Sequence, residues 1–315
     1  MNSPHDPVEQ RYLIISAIGN LIIGLIGLIF SVTTSSQAIL LDGLFNLTYF
    51  ATGLFTLKVA RLVTQADDER FPAGYAFFEP LVNGIKGVLV LGISLMALAG
   101  ALQAIFSGGR SIAAGMAIAY GTFATLACLG LAIMTRMGFK RTQSPLIHAD
   151  AENWTVNAAI SSAVLLAFGG IFLIRETRFS YLVPYVDPAL VLIVVLISIS
   201  VPVRMAWQAL MEMLNRTPPQ NVVEQVRQIV RKDLAALPYR QLFVRVLQPG
   251  RTRIVMVHAV LPQDFPEIKL RVLDEIRRKT LESLKQAHLA TIVDIVFTAD
   301  SSLAEPASPL LDVSG

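Results

Sequence analysis

Charge is scarce in this chain of 315 residues: 16% are Asp, Glu, Lys or Arg, against 54% hydrophobic. That balance lies outside the usual range of a water-soluble globular domain. Cysteine is almost missing. The single thiol, Cys128, sits in an apolar run with Leu126 and Leu129, which excludes an internal disulfide or a thiolate metal cluster and leaves helix packing as its role. The apolar stretches carry no His-Glu pair at metalloprotease spacing and no activated-serine motif, so hydrolysis within a membrane is unsupported and the chain is read as a non-enzyme. The formal net charge is only +3, without a basic patch, and nucleic acid is not an expected partner. No internal repeat organises the chain.

Long hydrophobic runs are abundant. A helix needs about 20 mainly apolar residues to cross roughly 30 Å of hydrocarbon, and six stretches qualify: 12–32, 37–60, 81–106, 113–135, 146–174 and 188–210. The first follows a short polar leader, lacks a convincing cleavage site and is read as an uncleaved helix. Connections such as Ser107-Gly108-Gly109 are short, so neighbouring helices should run antiparallel in the lipid bilayer. Arg11, Arg61, Arg70, Arg136, Lys140, Arg141, Arg204 and Arg216 sort to one side, and Arg110, Arg175 and Arg178 to the other. The basic side is the cytoplasmic one, which places both termini in the cytoplasm.

Past residue 215 the period changes. Stretches 220–237 and 265–286 read as amphipathic helices, while 241–248, 251–261 and 289–297 alternate as strands, the first two around the turn Pro249-Gly250. The expected architecture is an all-α six-helix transmembrane bundle over residues 1–215, followed at 216–300 by a small cytoplasmic α+β domain of order α-β-β-α-β. Composition marks 301–315 as a disordered tail.

Strongly polar side chains inside a spanning helix cost up to about 2.5 to 3.5 kcal/mol each, and call for a reason. Asp42 and Asn46 stand one turn apart in the second span, with Tyr49 and Gly53 continuing the stripe. Asp150, Asn153, Asn157 and Ser161 form a second stripe in the fifth. At about 1.5 Å of rise per residue the two stripes can meet inside the bilayer. Two accounts fit: the oxygens hold a metal between facing helices, or Asn and Asp bond one another across helices as packing glue.

The segment Ser36-Gln37-Ala38-Ile39-Leu40-Leu41-Asp42-Gly43-Leu44-Phe45-Asn46 resembles the second helix of the cation diffusion facilitator family. Phe71-Pro72-Ala73-Gly74-Tyr75-Ala76-Phe77-Phe78-Glu79-Pro80-Leu81 is similar to that family's signature before helix three, and Ala149-Asp150-Ala151-Glu152-Asn153-Trp154-Thr155-Val156-Asn157 to its helix-five segment. Asp187-Pro188 resembles the start of its sixth helix. The resemblance implies a homodimeric bacterial inner-membrane transporter that exports divalent metal in exchange for protons, with a ferredoxin-like soluble domain. The metal is cargo, and no cofactor is expected.

The four ligand positions implied by the resemblance are Asp42, Asn46, Asn153 and Asn157, with Asp150 as an additional candidate. In zinc-handling members these positions hold His and Asp, so three neutral amides here disfavour zinc and point to a harder ion such as manganese, magnesium or iron. The alternatives are a member that moves a monovalent or organic cation, and a transport-inactive relative with a structural or regulatory role in a dimer.

Lys86 either snorkels with Glu79 as counter-charge or pairs with Asp42 inside the bundle. His148 and Glu152 form an interfacial pair or a ligand pair. In the soluble domain His258 matches a place where the family binds regulatory metal, but a lone strand histidine is more often packing, and Phe297 stands where another ligand would be expected. If protons are exchanged, Asp42 or Asp150 carries them.

Overall fold

The computed structural model describes residues 7–304 apart from positions 64, 66, 73, 143, 144 and 267. It contains six helices long and apolar enough to cross a membrane. They are α1 (Pro7–Thr34), α2 (Gln37–Leu62), α3 (Phe78–Phe106), α4 (Ala114–Thr142), α5 (Pro145–Ile174) and a sixth, broken path. That path was expected as one continuous helix. It runs through a 3-10 turn at Ser180–Tyr185 into α6 (Val186–Ser198) and, past Ile199, α7 (Ser200–Met213). Pro202 supplies the reason: it has no N–H to offer the Ser198 carbonyl and its ring crowds that carbonyl.

The chain divides into two compact units. The first holds 1–58 and 82–207, the bulk of the long helices. Its core is built from Ala38, Ile39 and Leu41 of α2, Ala97 and Ala101 of α3, Ala117, Tyr120 and Ala124 of α4, Phe168 of α5, and Val191 and Val195 of α6. So many alanines let helix backbones approach closely, as interfaces between spanning helices require. The large side chains face outward instead: Val32, Met96, Leu166 and Leu173 are each at least 75% exposed. An apolar exterior of this extent suits a hydrocarbon surround. A second cluster joins Ile23, Cys128, Ala132, Trp154 and Ala158, placing Cys128 in packing as its sequence context implied.

The second unit holds 59–81 and 208–315. Its α+β part follows the expected order: α8 (Gln220–Asp233), β1 (Gln241–Leu247), β2 (Arg253–Val260), α9 (Leu270–Ala287), β3 (Thr291–Thr298). β1 pairs antiparallel with β2, and β2 parallel with β3 through the α9 crossover. Val223, Val226 and Val230 of α8, with Leu234 just past its end, form a buried stripe that meets Val246, Val255, Val257 and Ile295 of the sheet. The helix expected from residue 265 begins only at Leu270, because Pro266 biases its predecessor toward extended backbone. The stretch expected to be disordered opens with a 3-10 turn at Ser301–Leu303, where the Asp300 side chain accepts from Ser302 N; residues 305–315 lie outside the described residues.

Side-chain contacts organise the described part of the 59–81 segment of this unit. Asp68 accepts from Arg70 N, Phe71 N and the Tyr75 hydroxyl, and the Tyr75 bond, then that from Phe71, holds its carboxyl below the usual range. Rings of Phe71, Tyr75 and Phe78 pack beside it. The β1–β2 turn, with Gly250 at φ +57, places Gly250 N 3.0 Å from Glu212 and Arg251 N 2.7 Å from Glu79.

Candidate cation-binding site

α2 presents Asp42 and Asn46, and α5 presents Asn153 and Asn157, each pair one turn apart. All four line one cavity of about 240 Å³ in the helical unit, with Tyr49, Tyr120, Ser161 and Ser198 as the other polar walls. Val191 and Val194 of α6 contribute apolar lining. The two i, i+4 pairs therefore converge as their spacing suggested.

Among the described residues, Asp42 is the one carboxylate lining this cavity. Its Oδ2 accepts from Tyr120 Oη at 2.6 Å. Its Oδ1 accepts from Asn46 Nδ2 at 3.2 Å, and that nitrogen also donates to the Asp42 main-chain carbonyl at 2.9 Å. With its nitrogen turned back on its own helix, Asn46 is 1% exposed and its Oδ1 has no hydrogen-bond partner among the described residues. Leaving a buried acceptor unsatisfied costs about 1–3 kcal/mol. A cation in the cavity would relieve that cost. Among the described residues no group of three or more His, Cys, Asp or Glu is poised to hold a metal, so an ion here would rest on one carboxylate and neutral oxygens.

Asp150, expected as an additional ligand, does not line the cavity. It lies toward the Ser16 hydroxyl of α1 and in the field of Lys86. The reason is the face it takes: Asp150 lies on one stripe with Trp154, whose Nε1 donates to Ser16 Oγ of α1 at 2.7 Å, whereas Asn153 and Asn157 turn to the cavity. Lys86 has neither of the partners its spacing suggested. Its Nζ lies 4.5 Å from the Tyr49 ring centroid and its charge faces Asp150, while Glu79 is engaged by Arg251.

The remaining candidates sit apart. His148 and Glu152 are an exposed i, i+4 pair at 3.6 Å, with the imidazole edge-on to Phe139. His258 Nδ1 is 3.2 Å from Arg245 Nη1, and Phe297 packs against the sheet–helix core.

Two residues escaped the sequence reading. Tyr120 is a polar aromatic in the first third of an apolar span, flanked on its face by Ala117, Gly121 and Ala124; that small-residue setting was the available signal. Asp187, noted only as a helix start, is wholly buried. It accepts from Ser36 Oγ at 2.5 Å, from Gln37 N and Ala38 N at 3.1 Å, and from Arg110 Nη1 at 3.4 Å. It thereby caps the N-terminus of α2, where negative charge is favourable.

Residues 13–214 match the cation efflux transmembrane domain. Over 276 residues the chain is 22% identical to the cation-efflux pump FieF of Klebsiella pneumoniae, covering 87% of each. It is 24% identical over 296 residues to an uncharacterized transporter of Methanocaldococcus jannaschii, covering 91% of this chain and 98% of that one. A cation-efflux pump FieF of Escherichia coli O139:H28 is 22% identical over 249 residues, or 79% of this chain and 80% of its own.

Proposed function

The chain belongs to the cation diffusion facilitator family of membrane cation efflux transporters, and on that premise we propose that it exports a divalent metal cation from the cytoplasm by proton-coupled alternating access, preferring hard ions (manganese, magnesium or iron) to zinc. The observation that carries this reading is the Asp42 carboxylate beside the unpartnered, buried Asn46 Oδ1, in a cavity shared with Asn153 and Asn157. Carboxylate and carbonyl oxygens suit magnesium and manganese, whereas zinc favours the imidazole that none of these positions supplies. Asp42 carries the exchanged proton, because one carboxylate cannot hold proton and metal together. Asp150 serves the charge of Lys86 instead of the ion.

In this reading residues 1–215 are the transport domain, with both termini on the cytoplasmic side of a bacterial inner membrane, in keeping with the Lys and Arg distribution. Residues 216–300 join two copies into a homodimer. Support comes from the sheet face opposite the helices, where Phe243, Ile254, Met256, Ile292 and Val296 share one side with Arg245, His258 and Asp294, and Ile292 is 52% exposed. An apolar sheet face of this kind is suited to a partner.

One observation favours a second reading, a transport-inactive member with a structural or regulatory role: three of the four site positions are neutral amides, leaving the ion a single compensating charge. Flux in proteoliposomes, challenged with manganese, magnesium, iron, cobalt, zinc and sodium, separates the two. The transporter reading expects uptake of a hard divalent ion with countermoving protons and a weak zinc response. Zinc preference would overturn the ion assignment, and silence across the panel would transfer the chain to the regulatory reading.

A further inference from the structure

We infer that Tyr120, on α4 and outside the four α2 and α5 positions, is a positioning residue for the cargo cation: its hydroxyl holds the Asp42 carboxylate in the cavity and sets how tightly the site binds. This rests on the reading of Asp42 as the cation-binding carboxylate.

Three observations converge on the hydroxyl. Its oxygen stands 2.6 Å from Asp42 Oδ2, the range of a bond from a neutral hydroxyl to an ionised carboxylate. The residue is 2% exposed yet lines the same cavity as Asp42, Asn46, Asn153 and Asn157, so the bond lies where an ion would enter. The oxygen also has a seat of its own. A Cβ at Gly27 of α1 would fall 2.8 Å from Tyr120 Oη and 2.9 Å from Gly43 Cα. Two facing glycines thus bring α1 and α2 together and leave a slot for the phenol oxygen, while the Phe30 ring, 5.7 Å away, braces the tyrosine ring.

With Asn46 Nδ2 on Oδ1 and Tyr120 on Oδ2, the carboxylate is held from both sides. Its rotamer is fixed before any ion arrives. A ligating carboxylate oriented by such a partner loses about 10- to 100-fold in metal affinity when the partner is removed. A tyrosine that merely filled space would have no such effect, because phenylalanine fills the same space.

The test is Tyr120→Phe, which keeps the ring and its contact with Phe30. Manganese uptake by reconstituted full-length protein is followed against manganese concentration, and manganese binding to the detergent-solubilised protein by electron paramagnetic resonance. The half-saturating concentration should rise about ten-fold or more with the maximal rate kept within roughly two-fold, and adding Tyr120→Phe to Asp42→Asn should change manganese binding no further. An unchanged half-saturation, or an equal loss of binding in the Asp42→Asn background, would overturn the assignment while leaving the transport reading intact. Wild-type uptake persisting in Asp42→Asn would instead remove Asp42 as the cation carboxylate, and the role of Tyr120 with it. Should Tyr120→Phe not fold, infrared difference spectra of the wild type decide: manganese should shift a tyrosine C–O band in wild type and not in Asp42→Asn, and no shift in wild type would overturn the role.

Discussion

Two carboxylates of the helical unit engage α2 at neighbouring levels and are treated in opposite ways. Asp187 is completely buried and completely satisfied, with two main-chain N–H groups, a serine hydroxyl and the Arg110 guanidinium around it. Asp42 has only a phenol and a primary amide as donors, an unsatisfied carbonyl oxygen beside it, and a cavity in front of it. The first arrangement spends its charge on holding three chain segments together. The second leaves a carboxylate and an amide oxygen facing an open cavity. Burial does not separate these two acids; what surrounds them does.

That contrast breaks most sharply under a pair of alanine substitutions. Asp42→Ala should bring cation uptake down to the level of empty liposomes while leaving the thermal unfolding midpoint in detergent near wild type. Asp187→Ala should do the reverse in kind, costing about 3 kcal/mol of stability, since it strands the Arg110 charge and uncaps α2. Equal destabilisation by the two substitutions would erase the distinction. A smaller effect sharpens it: replacing Asn153→His together with Asn157→Asp adds an imidazole and a second charge to the cavity, so zinc uptake should emerge where wild type shows little. Continued zinc silence with intact folding would mean that the α5 positions do not contact the ion.

Much of this architecture was legible in the residues. The six spans followed from hydrophobic length, and the α-β-β-α-β order from the change of period past residue 215. The meeting of Asp42 and Asn46 with Asn153 and Asn157 followed from two i, i+4 pairs on helices able to face one another. Such spacing groups residues on a broad face without naming the neighbour each one meets. Asp150, three residues before Asn153, turns with Trp154 toward Ser16 of α1 and away from the cavity. Glu79 looked like the counter-charge of Lys86 by local spacing, yet Arg251, 172 residues along the chain, takes it. Tyr120 acts through a partner 78 residues away, and no periodicity in α4 names that partner. Prolines account for the boundary differences: Pro202 interrupts the sixth span and Pro266 delays α9 to Leu270.

The most direct test of the cavity as the ion's seat is an anomalous-difference map of the protein with manganese. The account predicts a peak inside the cavity, within coordination reach of the Asp42 carboxylate and the Asn46 Oδ1, with Asn153 and Asn157 facing it from α5. Manganese bound elsewhere in the helical unit, with this cavity empty and the Tyr120–Asp42 bond undisturbed, would contradict it.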